Sequence, residues 1–193
     1  MPVISLHLAS SSPRRSEILT ALGLTFTCGG VDVDERRLPG ETAALMVSRL
    51  AQAKAEAVAR ERSQVVLGAD TLVVLGDDVL GKPGDRDEAL AMLARLSGQT
   101  HVVLTGIALS ADQGLQTSLS ATEVRFREIR PDEALAYWQS GEPCDKAGAY
   151  AIQGLGGVFV ESIDGSYSGV VGLPVFETVQ LLSKVGIEVL RSR

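Results

Sequence analysis

The sequence predicts an α/β fold on a mixed sheet, and three observations predict it. Strand-like and helix-like segments alternate early in the chain, and strands pair late. At 193 residues, 45% hydrophobic and 22% charged, the chain suits one globular domain, or one domain with two lobes. No internal repeat, low-complexity tract or linker divides it. Aromatic residues are only 4%, so Leu, Val, Ile and Ala must build the core.

The first strand is expected over residues 3–8. Ala9-Ser10-Ser11-Ser12-Pro13 then opens a helix with Ile18, Leu19 and Leu22 on one face. Ser12 suits the cap, Pro13 the first helical position, and Gly23 the stop. A short strand at 25–28 leads to a polar loop, Val31-Asp32-Val33-Asp34-Glu35. A long helix is predicted over 41–60, with Met46, Leu50, Ala53 and Ala57 at helical spacing. Residues 64–75 read as a buried strand and Gly76-Asp77-Asp78 as a turn. A third helix covers 85–96, with Gly98 just past its end. Strands over 101–110 and 116–127 join through Asp112-Gln113-Gly114, and 131–139 is a short helix. Residues 140–157 are Gly-rich and polar, 158–163 a strand, 165–172 a loop, and 174–184 the last long helix.

Charge and composition exclude several function classes. A net charge of −6 argues against a nonspecific nucleic-acid binder, although a small basic pocket for a polyanion remains open. Cys28 and Cys144 form no CxxC and have no His nearby, which speaks against structural zinc and a disulfide scaffold. The first residues lack a basic n-region and read as a strand, not a signal peptide. No apolar run reaches the ~18 residues of a membrane span. The expectation is a cytoplasmic protein with no membrane or nucleic-acid partner. GxSxG, HExxH and Walker A patterns are absent, and His7 and His101 are the two histidines.

Four segments carry the chemistry. Ser10-Ser11-Ser12-Pro13-Arg14-Arg15 hands a strand to a helix start, where N–H groups and the helix dipole favour an anion. Arg14 and Arg15 oppose that dipole, a misfit with an ordinary capped helix. Adjacent helical residues diverge by about 100°, so at most one of them faces a ligand. Asp70 is a carboxylate inside the apolar run 65–75. It is expected to be paired, metal-bound or catalytic, the plainer alternative being a turn cap. Gly68-Ala69 would permit a bend or close approach of a ligand. Of 18 basic residues only four are lysines: Lys54, Lys82, Lys146 and Lys184. Lys54 lies at the edge of a helix stripe, where it could also simply snorkel. Lys82 is fixed in direction between Gly81 and Pro83, or is an exposed turn lysine. The fourth segment runs from Asp145-Lys146-Ala147-Gly148 to Gln153-Gly154, polar groups among small residues. Together with the acidic loop at 32–35, these suit a metal-bound polyphosphate.

The same segments resemble the Maf-family nucleoside triphosphate pyrophosphatases over nearly the full length. The resemblance rests on Ala9-Ser10-Ser11-Ser12-Pro13-Arg14-Arg15, Asp34-Glu35, Ala53-Lys54-Ala55, Gly68-Ala69-Asp70-Thr71, Gly81-Lys82-Pro83, Ser97-Gly98-Gln99-Thr100-His101, Asp145-Lys146-Ala147-Gly148 and Val171-Gly172-Leu173-Pro174. Ala149-Tyr150-Ala151-Ile152-Gln153-Gly154 resembles the dTTP/UTP-cleaving branch, not the branch acting on 7-methyl-GTP. No motif position departs from the pattern.

The resemblance implies a single domain over 1–193: a mixed, bent sheet with flanking helices and two lobes around a cleft, similar to inosine-triphosphate pyrophosphatases. It implies hydrolysis of dTTP and UTP to the monophosphate and diphosphate, with a divalent cation, Mg²⁺ or Mn²⁺. Nucleotide-pool sanitation is the implied role. A broader or modified-nucleotide pyrophosphatase and a non-enzymatic regulator of septum formation are the alternatives. Asp70 takes the position of the proton acceptor. Arg14, Thr71 and Gln153 take positions of substrate choice. Lys54, Lys82, Lys146, Ser10 and Ser12 are expected to bind substrate. Glu35 and Asp70 are expected to hold the metal, with Asp145 either a further ligand or the partner of Lys146. A homodimer is allowed by analogy, with no local argument for its interface.

Overall fold

The structure, a computed structural model, describes residues 4–61 and 63–190. Val3, expected to begin the first strand, lies outside the described residues. Among the described residues, seven strands form one sheet: β1 (Ser5–Leu8), β2 (Phe26–Cys28), β3 (Gln64–Leu75), β4 (Asp78–Leu80), β5 (Thr100–Ala111), β6 (Gly114–Phe126) and β7 (Val160–Asp164). Their order is β2-β1-β3-β5-β6-β7, with β4 paired to β3. The helices are α1 (Pro13–Ala21), α2 (Ala43–Glu56), α3 (Arg86–Leu96), α4 (Pro131–Gln139), α5 (Tyr167–Val171) and α6 (Val175–Lys184). The predicted mixed α/β class is the observed one: β1 pairs in parallel with β2 and β3, while β3–β4 and β6–β7 are antiparallel.

The chain divides into two compact units, whose boundaries fall inside β3, β5 and β6 and at the end of the helical turn Tyr167–Val171. The first comprises Met1–Asp70, Thr105–Ser120 and Gly172–Arg193; the second, Thr71–Leu104 and Ala121–Val171. Each has its own apolar core. Leu6, Leu8, Leu19, Leu67, Ile107 and Leu182 are among the core residues of the first. Leu93, Leu96, Phe126, Tyr137, Tyr150 and Phe159 are among those of the second.

Several expectations need correction. Helix α2 ends at Glu56, not Arg60, and buries Met46, Val47, Leu50, Ala51 and Ala55. Ala57, assigned to the stripe, is exposed beyond the helix end. The buried face is therefore rotated, because two glycines choose it. A Cβ on Gly68 would lie 2.6 Å from the Ala55 backbone nitrogen, and one on Gly106 would lie 2.7 Å from the Val47 carbonyl oxygen. The helix backbone thus rests directly on β3 and β5, so Gly68 admits a helix where a ligand's approach was expected. Residues 165–172, read as a loop, contain α5, because the Ser166 hydroxyl accepts the Gly169 N–H and starts the turn. Strand β7 begins at Val160 rather than 158, since Leu155–Phe159 winds as a 3-10 turn.

Candidate active site

In the first unit, β1 and β2 end level, while β3 runs on past them. Leu8 is in register with Cys28 on one side and Leu67 on the other. From β1 the chain crosses to β2 on one side, then returns to β3 on the other. That makes the carboxyl end of β1 a topological switch point, where open α/β sheets place ligands. Ser10 lies just beyond β1 and is buried, as is Asp70 three residues past Leu67 on β3.

Lys54, in the last turn of α2, reaches both acidic groups. Its Nζ donates to Asp70 Oδ1 at 2.6 Å and to Glu35 Oε1 at 2.7 Å. The Lys54 and Asp70 side chains are only 12% and 11% exposed, whereas that of Glu35 is 60% exposed. Lys54 is thus a buried bridge between two carboxylates, not a snorkelling surface lysine. Its reach depends on the close seating of α2 over Gly68, with Ala51, Ala55 and Ala108 packed beside it.

Of the two adjacent arginines, Arg15 folds onto this cluster. Its Nε donates to the Gly172 carbonyl at 2.9 Å and its guanidinium to Ser10 Oγ at 3.1 Å. Burial lowers the Arg15 pKa, opposed first by the charge of Asp70 and less by that of Glu35. Ser12 occupies the position before α1, but its side chain makes no cap bond there. Its N–H instead donates to Ser10 Oγ at 3.2 Å, so that one hydroxyl oxygen accepts from both Ser12 and Arg15.

A residue that sequence reasoning missed aims Glu35. Arg49 on α2 donates to the carbonyls on either side of it, Asp34 at 3.4 Å and Arg36 at 3.1 Å. Glu41 holds Arg49 in turn through contacts of 2.6 and 2.9 Å. Arg49 and the Leu38 N–H pull the Glu41 pKa down to about 2.

The second unit collects another set. The Gly148 N–H donates to the Gly81 carbonyl at 3.0 Å, tying the Lys82 turn to the Lys146 segment. Lys82 is exposed, while Pro83 beside it is buried. Gly148 has a φ of 68°, and a Cβ there would lie 3.0 Å from Val73 Cγ1. Ala149 follows at φ 58°, a left-handed conformation that residues with a Cβ rarely adopt. Asp145 pairs with Lys146, one of the two roles that its sequence position left open. Thr71 is half-buried, one residue past Asp70 on β3. Gln153 is exposed in a turn closed by the Gly154 N–H on the Ala151 carbonyl at 3.2 Å.

His101 is buried in this unit's core. Its Nε2 lies 2.8 Å from the Tyr150 hydroxyl, and its ring meets Phe126 and Tyr150 edge-on. Burial pushes its pKa down to about 4, so the imidazole is neutral and structural.

A hard divalent cation fits this donor set. Among the described residues, no three Asp, Glu, His or Cys side chains form a preformed metal cage. Glu35 and Asp70 nevertheless converge on one ammonium group. Two carboxylates suit a Mg²⁺-type ion, which completes its shell with water and substrate phosphates.

Comparison with known proteins agrees with the motifs. The chain is 54% identical to a dTTP/UTP pyrophosphatase of Hahella chejuensis over 188 residues, 95% of this chain and 94% of that one. It is 49% identical to a dTTP/UTP pyrophosphatase of Pseudoalteromonas atlantica over 187 residues, 94% and 97% of the two chains. Among solved structures it is similar to a nucleoside-triphosphatase / dITP/XTP pyrophosphatase from Mycobacterium abscessus. That likeness has a TM-score of 0.41 and 19% identity, covering 65% of this chain and 75% of the other. The profile of the Maf-like proteins matches residues 5–185, and the chain belongs to that family.

Proposed function

We propose that this protein hydrolyses dTTP and UTP to the monophosphate and diphosphate. The observation that carries the reading is Asp70: a carboxylate buried in a strand, bridged by Lys54 to Glu35 and near the Arg15 charge. The names of the relatives supply the substrate pair.

Water attacks the α-phosphorus, and the bond from that phosphorus to the α,β-bridging oxygen breaks. Diphosphate leaves with the bond's electrons, and the water's proton passes to Asp70. Asp70 also orients the water before attack. Lys54 and Arg15 offset the negative charge that builds on the phosphoryl oxygens. Arg14, Lys82 and Lys146 add positive charge for the triphosphate, and Ser10 and Ser12 line the approach of its oxygens. Glu35 and Asp70 would hold a divalent cation, which when bound neutralises phosphate oxygens and lowers the pKa of water. Gln153 offers one donor and one acceptor, matching the O4 and N3–H edge shared by thymine and uracil. Thr71 assists substrate choice.

Diphosphate release from dTTP, UTP, CTP, ATP and GTP, with and without Mg²⁺ or Mn²⁺, tests the reading. Rapid, metal-dependent release from dTTP and UTP is expected. Release from none of the five would overturn it, and a purine preference would overturn the assignment of Gln153 to the base.

A further inference from the structure

Gln153 lies two residues from a fixed point on either side. Before it, the Ala151 N–H donates to the Tyr137 hydroxyl oxygen at 3.0 Å. After it, the N–H groups of Leu155 and Gly156 donate to Glu142 Oε2 and Oε1, each at 2.9 Å. The two fixed points are joined, because Tyr137 donates its hydroxyl hydrogen to Glu142 Oε1 at 2.7 Å. One phenol and one carboxylate thus gather three backbone N–H groups that bracket three residues, Ile152, Gln153 and Gly154.

The fit is tight. A Cβ on Gly154 would collide with the Glu142 carboxylate, and one on Gly156 would lie 2.6 Å from the Tyr137 hydroxyl. The Tyr137 ring is buried and packs edge-on against Phe159, with 5.2 Å between centroids. Burial, and then the Glu142 contact, drive the Tyr137 pKa upward, so the phenol stays a donor. Burial opposes the charge on Glu142, but the Gly156 N–H, the Tyr137 hydroxyl and the Leu155 N–H outweigh it and hold its pKa down. Such a bracket costs conformational freedom that a plain surface loop would keep. Its effect is to fix the backbone from which the Gln153 side chain projects.

We propose that Tyr137 and Glu142 are positioning residues for base selection: they hold the turn that presents Gln153 and thereby set the preference for pyrimidine over purine triphosphates. This rests on the reading of Gln153 as the residue that meets the base. A flexible turn would still let Gln153 bond a thymine or uracil. It would also let the amide swing aside, so that a mismatched base no longer leaves it unpaired, and discrimination is lost.

The test compares kcat/KM for dTTP and GTP in Tyr137→Phe, Glu142→Gln and Gln153→Ala, and in each of the first two combined with Gln153→Ala. Tyr137→Phe keeps the ring on Phe159 and covers the case in which Glu142→Gln folds poorly. Backbone hydrogen exchange over residues 151–156 is followed in the same proteins. Each positioning variant is expected to lower the dTTP-to-GTP ratio about tenfold, the weight of one hydrogen bond. kcat on dTTP should stay within about twofold, since neither group touches the reacting atoms. Exchange at Leu155 and Gly156 should quicken. In the Gln153→Ala background the ratio should fall no further, a coupling that a general packing defect would not produce. If Gln153→Ala lowers the ratio while Tyr137→Phe and Glu142→Gln leave it unchanged, the positioning role is overturned and base reading stands. Equal falls with and without Gln153 overturn it as well. An unchanged ratio in Gln153→Ala alone overturns base reading, and the positioning role with it.

Discussion

Two loop residues, Glu35 in the first unit and Gln153 in the second, are held in opposite chemical ways. Glu35 is aimed by a cation: Arg49 grips the carbonyls on both sides of it and is itself anchored by Glu41. The turn that carries Gln153 is held by an anion: Glu142, with Tyr137, collects the N–H groups on both sides of it. In each case an ionised side chain satisfies backbone groups of an irregular segment and so stiffens it. The difference lies in what is delivered. The first unit delivers charge, with Lys54 joining Glu35 to buried Asp70. The second, on the proposed reading of Gln153, offers an uncharged amide with a donor and an acceptor. Chemistry and selectivity are therefore expected to respond to different substitutions.

The largest separation should come from Lys54→Met. Loss of the ammonium should lower kcat/KM on dTTP and UTP alike by about 100- to 1,000-fold, with their ratio to GTP unchanged. Steady-state kinetics on the three nucleotides checks this, and a shift in the ratio would break the division. Thermal unfolding should show a loss of roughly 3 kcal/mol, because Asp70 loses its partner inside the protein.

Lys82→Ala should have a smaller effect, about 10- to 100-fold on kcat/KM. Calorimetric binding of the monophosphate product should change by less than about threefold, if Lys82 serves the departing diphosphate. Equal losses would place Lys82 at the α-phosphate or in the scaffold. Arg49→Met should lower kcat/KM about tenfold by releasing Glu35, while the dTTP-to-GTP ratio holds. That is the counterpart of Tyr137→Phe, which should move the ratio and spare the rate.

The candidate site residues stand out in the sequence where local pattern marks them. Asp70 interrupts an apolar run, Lys82 sits between Gly and Pro, and Lys54 borders a helix stripe. Strand β3 and helix α4 have the predicted boundaries for the same reason: turn and breaker residues flank strong periodicity. The residues that aim the site were not legible. Arg49, Tyr137 and Glu142 act by side-chain bonds to the backbone of segments 13 to 15 residues away, a relation that leaves no period. Gly68 suggests a bend or the close approach of a ligand, and what approaches it is the backbone of a helix that packs across it. Between Arg14 and Arg15, spacing allows at most one to face a ligand and does not say which; tertiary contacts bring Arg15 onto Ser10.

The smallest effect concerns the core of the second unit alone. His101 has its pKa pushed down from 6.5 to about 4 by burial. Between those values the unfolded chain binds a proton that the folded chain refuses. Stability should therefore fall as pH drops through 6.5, and the loss from this group should be complete near pH 4. The size is roughly 3 kcal/mol. Urea unfolding of His101→Gln between pH 7 and pH 4 should show a shallower decline than the parent. Parallel curves would mean that His101 does not drive the acid loss.

The central claim is that Asp70 takes the proton from the attacking water. The direct measurement is diphosphate release from dTTP by Asp70→Asn, with a thermal unfolding curve on the same sample. Asn keeps the shape and can still accept from Lys54, but it carries no charge and takes no proton. The account predicts a folded protein whose turnover is lower by about 1,000-fold or more. Turnover within about tenfold of the parent would contradict it and remove Asp70 from the chemical step.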